Sequence, residues 1–79
     1  GLAERLAAQQ AQVAAAERSL QLVERSQALG GSSQLELLDA QRQLAAAQQA
    51  LVALRQAEAA NRVGLLVALG GRWGGEQPG

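Results

Sequence analysis

The stretch LGGSSQLELLDAQRQL, residues 29–44, decides the fold. Two glycines and two serines interrupt a chain otherwise built of Ala, Leu, Gln and Arg, and two acids, Glu36 and Asp39, follow at once. Gly30 and Gly31 supply a residue free to take the left-handed conformation in which helices commonly end. Ser33 and Glu36 form S-x-x-E, the spacing in which a hydroxyl caps the first free backbone N–H groups while the carboxylate reaches back. One helix therefore stops and another starts within a few residues.

Upstream, Leu2, Leu6, Gln9, Val13, Ala16, Leu20, Val23 and Gln27 recur at alternating spacings of three and four, a heptad seam on one helix over about 2–29. Downstream, a second helix is expected from 34 to 69, ended by Gly70-Gly71, with Gly64 tolerated inside it at a cost of about 1 kcal/mol relative to Ala. Glu58 and Arg62 form a favourably oriented i,i+4 pair on it. A connection at 30–33 makes the two helices antiparallel neighbours. At 1.5 Å per residue they span about 42 Å and about 54 Å, so the second overhangs the first. The fold class is thus all-α, an antiparallel helical hairpin over residues 1–71 with its tip at 30–33, followed by a flexible tail at 72–79.

The second helix carries two apolar lines. Leu37, Leu44, Leu51 and Leu65 share one heptad line, and Leu38, Ala45, Val52, Ala59 and Leu66 share the line beside it. One partner requires one seam; two adjacent seams point to neighbours on both sides, as in a bundle or a closed ring of helices. A dimeric coiled coil with a broad face explains the first helix equally well and the second less well.

Composition narrows the function classes. A chain of 79 residues in a single helical layer buries little core by itself. Its apolar residues are almost all Ala, Leu and Val, with Trp73 the one aromatic, a palette suited to close helix packing. Seven Arg balance seven acids with no Lys, so no basic patch recommends nucleic acid or an anionic membrane surface. No apolar run reaches the length of a membrane-spanning helix. Cysteine and histidine are absent, which removes thiolate metal sites, disulfides and any Ser-His-Asp triad. The chain opens on Gly-Leu-Ala-Glu, already inside a helical pattern, and is expected to be an internal or C-terminal fragment.

At the tip, Leu35, Asp39 and Arg42 are spaced i, i+4, i+7 and so lie on one stripe of the second helix. The plain alternative for Asp39 and Arg42 is a solvated i,i+3 ion pair. Glu36 with Asp39 has the look of an acid/base or metal pair, yet no further ligand converges on them in the sequence, and oxygen-ligated ions need more than two. Neither catalytic, cofactor-binding nor metal-binding residues are expected. LGGSS lacks the Lys of a phosphate-binding loop and follows a helix instead of a strand. Trp73 is assigned to local packing over Gly70-Gly71, with a membrane-interface position as the alternative.

SQALGGSSQLELLDAQRQLAAAQQAL, followed by NRVGLLVALGGRW, resembles the C-terminal segment of the TolC-like outer-membrane efflux proteins, most closely their NodT-type lipoprotein branch. Gly30, Ser33, Leu35, Leu38, Asp39, Ala40, Gln41 and Arg42 match the family's tip motif, and Ala68, Leu69, Gly70, Gly71 and Trp73 match its closing A-L-G-G-x-W. Two positions depart from it: Gln27 stands where the family usually has a Tyr that helps hold the closed tip, and Glu36 replaces an Asp, keeping the charge on a longer arm.

The resemblance implies a homotrimeric channel, with a periplasmic cylinder of packed helices beneath a β-barrel in the outer membrane. This chain would be one hairpin of the cylinder, carrying none of the barrel. It further implies that Leu35, Glu36, Asp39 and Arg42 narrow the periplasmic mouth. Leu29, Gly30, Gly31, Ser32 and Ser33 would meet the hairpin of a periplasmic adaptor protein that links the channel to an inner-membrane pump. Two rival readings accompany it: the hairpin of such an adaptor itself, and a soluble self-associating coiled coil with no role in transport.

Overall fold

The computed structural model describes the backbone of residues 1–74 and the side chains of residues 1–70. Two α-helices make up the whole of it, α1 from Leu2–Ala28 and α2 from Gln34–Gly74. They lie antiparallel in a rod measuring 73 × 21 × 12 Å. The rod is a single layer two helices wide. No strand occurs among the described residues.

Each seam position expected on α1 is at least partly covered: Leu2, Leu6, Gln9, Ala16, Leu20, Val23 and Gln27 are half-buried, and Val13 is buried. They face Leu37, Ala40, Leu44, Ala47, Leu51, Leu54 and Glu58 of α2. Of that row, Leu37, Leu44 and Leu51 lie on the heptad line expected from the sequence; Leu54, Ala40 and Ala47 join them, and the two alanines are its most deeply buried members. Small side chains at these two positions let the helix backbones approach, which is how a core without aromatic side chains reaches contact. A polar residue in the row marks the register: Gln9 donates its Nε2–H to the backbone carbonyl of Ala47 at 3.0 Å.

The neighbouring line on α2 has no cover in this chain. Leu38, Ala45, Val52, Ala59 and Leu66 are all exposed, with Val52 at 51%. Beyond Glu58 no described residue stands opposite α2, and every residue from 61 to 70 is exposed, including Val63, Leu65, Leu66, Val67 and Leu69. Leu65, placed on the seam line by its spacing, is therefore uncovered for want of an opposing turn. Among the described residues no helix is long and apolar enough to cross a membrane.

Two boundaries differ from expectation. The first helix stops at Ala28, with Leu29 as its C-cap. The second runs to Gly74, through Gly70 and Gly71, instead of ending after Leu69. Those glycines are not used as terminators: among the described residues only Gly30 takes a positive φ, and a glycine in helical conformation weakens a helix without breaking it. The tail expected from 72 thus loses its first three residues to the helix, and residues 75–79 lie outside the described part, as does the side chain of Trp73. The i,i+4 pair is present as expected, with Arg62 Nη2 2.7 Å from Glu58 Oε1. Such exposed pairs contribute a few tenths of a kcal/mol, about 0.3–0.5.

Candidate functional site

The tip is built by two interlocking caps. At the end of α1, Gly30 has φ +82°, a conformation that strains any residue with a Cβ. It allows Gly31 N–H to donate to Ser26 O at 2.7 Å and Gly30 N–H to donate to Gln27 O at 2.9 Å. These two bonds are the paired 6→1 and 5→2 contacts of a Schellman motif, which satisfy carbonyls left open by the last helical turn. At Gly31 a Cβ would lie 2.8 Å from Ser26 Oγ, so a side chain there would need that hydroxyl to turn away.

At the start of α2, Ser33 Oγ accepts the backbone N–H of Glu36 at 3.1 Å, as the S-x-x-E spacing predicts. The return half of the capping box takes a different form. Ser33 donates its hydroxyl to Glu36 Oε1 at 3.4 Å, so the carboxylate engages the capping side chain in place of the backbone. The two helices are also tied across the connection, where Gln27 Nε2 donates to Gln34 Oε1 at 2.7 Å. Gln27, the residue that departs from the resembling family's Tyr, thereby acquires a partner within its own hairpin.

Around this frame the expected site residues divide into three groups. Leu35, Asp39 and Arg42 are all exposed and share one face of α2 turned away from the α1 seam, with Leu35 at 71%. Glu36 is exposed but belongs to the cap, a different edge of the helix. At the apex, Leu29 is 88% exposed and Gly30, Gly31 and Ser33 are exposed with it, while Ser32 is half-buried.

The ion pair between Asp39 and Arg42 is not formed. Asp39 Oδ2 instead accepts from Gln43 Nε2 at 3.1 Å, one turn further along, and no ion pair to Arg42 occurs among the described residues. The spacing of Gln43 four residues after Asp39 is a recognised helix-surface pair and was open to sequence reasoning. The Gln27–Gln34 contact follows no helical period, because it crosses the turn, and had no such signal. Among the described residues no group of three or more His, Cys, Asp or Glu comes together.

What this arrangement offers is an apex capped from both helices, with an apolar and charged stripe on its outer face. Comparison with curated proteins and with solved structures finds no match. The family model described as outer membrane efflux protein matches residues 1–71, nearly the whole hairpin. With two long antiparallel helices and a capped tip in the same span, the chain belongs to the outer membrane efflux protein family.

Proposed function

We propose that this hairpin stands in the periplasmic exit duct of a homotrimeric outer-membrane efflux channel, and that its tip forms part of the gate at the periplasmic mouth. The observation that supports the reading above all is the uncovered apolar line Leu38, Ala45, Val52, Ala59 and Leu66 beside a covered seam. A helix with contacts wanted on two flanks suits a ring of helices. In a three-fold ring, Leu35, Glu36, Asp39 and Arg42 each become a set of three. Carboxylate rings attract cations and an apolar ring closes a narrow pore by dewetting. Opening is then a rigid-body shift of hairpins along their seams, favoured by a partner that binds the open tip better.

In this reading the apex, Leu29 to Ser33, meets the hairpin of a periplasmic adaptor that connects to an inner-membrane pump. Its small side chains permit close approach, and its caps keep the backbone groups satisfied without the partner's help. In this reading the chain's role is non-enzymatic.

Planar-bilayer recording on the intact protein tests the gate. Asp39→Lys is expected to reduce the preference for cations over anions roughly tenfold, because three carboxylates at a constriction become three ammoniums. Unchanged selectivity and conductance in both Asp39→Lys and Glu36→Lys would remove the gate from this tip.

A further inference from the structure

We draw no further inference here: the strongest candidate, the surface patch formed by the wholly apolar turns of α2 from Val63 to Leu69, carries nothing because nothing in the structure shows what covers it.

Discussion

Gln9 and Ala47 meet across the hairpin, the side-chain N–H of one donating to the backbone carbonyl of the other at 3.0 Å. Ala47 is only 4% exposed, the most deeply buried of the named core residues. A larger residue there would push the helices apart and break the contact. Ala47→Leu is expected to cost about 1–3 kcal/mol through overpacking, whereas Ala57→Leu, at an exposed position of the same helix, stays within about 0.5 kcal/mol. Hydrogen exchange of α1 amides in the intact protein reads both, with equal protection in the two variants counting against a close-packed seam.

The Schellman turn makes a graded prediction at neighbouring glycines. Gly30→Ala forces an L-residue into the left-handed region and costs about 1–2 kcal/mol, with Gly30→Asn milder. Gly31→Ala brings its Cβ against Ser26 Oγ, so the double variant Gly31→Ala with Ser26→Ala recovers most of the loss. Exchange rates at the Gly30 and residue-31 amides report the turn directly. No recovery in the double variant would show that the crowding by Ser26 is not the constraint.

Ser33→Ala removes the hydroxyl that accepts Glu36 N–H and is expected to destabilise the start of α2 by about 1 kcal/mol. Ser33→Asp, which restores an acceptor, preserves it. The amide of Glu36 exchanges about fivefold faster in the alanine variant, the factor that corresponds to such a loss. Unaltered exchange in Ser33→Ala would mean the cap carries no stability at this tip.

The isolated 79-residue chain is expected to associate or to fray, because among the described residues the buried hydrophobic ones are Val13, Ala40 and Ala47, while Leu22, Leu29, Leu35, Val52 and most of the Leu and Val beyond Glu58 are exposed. Sedimentation at micromolar concentration, combined with thermal melting followed by circular dichroism, checks this. A compact monomer with a cooperative transition would contradict the need for neighbours.

The hairpin and its α1 seam were legible because heptad spacing and a Gly-Gly-Ser-Ser interruption each report a local rule: periodic burial in one case, chain reversal in the other. Ala40 and Ala47 were passed over because alanine carries little hydrophobic signal, although its smallness is what makes it the contact residue. The end of α2 was misplaced because Gly70-Gly71 reads identically to Gly30-Gly31, while only the latter is followed by a residue able to start a new helix. At the tip, the stripe of Leu35, Asp39 and Arg42 followed from spacing alone. The partners of Asp39 and Gln27 depend on which of several nearby amides wins, a competition that spacing does not decide.

The caps at Gly30, Gly31 and Ser33 use nearly every residue of the connection, and this fixes its length as firmly as its composition. One residue inserted or deleted between them would rotate α2 by about 100° about its own axis if the caps re-formed. Ala40 and Ala47 would swing out of register with Val13 and Gln9, and a different strip of the longer helix would be offered to whatever stands beside it. Length variation among natural variants of this protein should therefore be tolerated anywhere in the exposed outer turns before it is tolerated at the bend from Leu29 to Ser33.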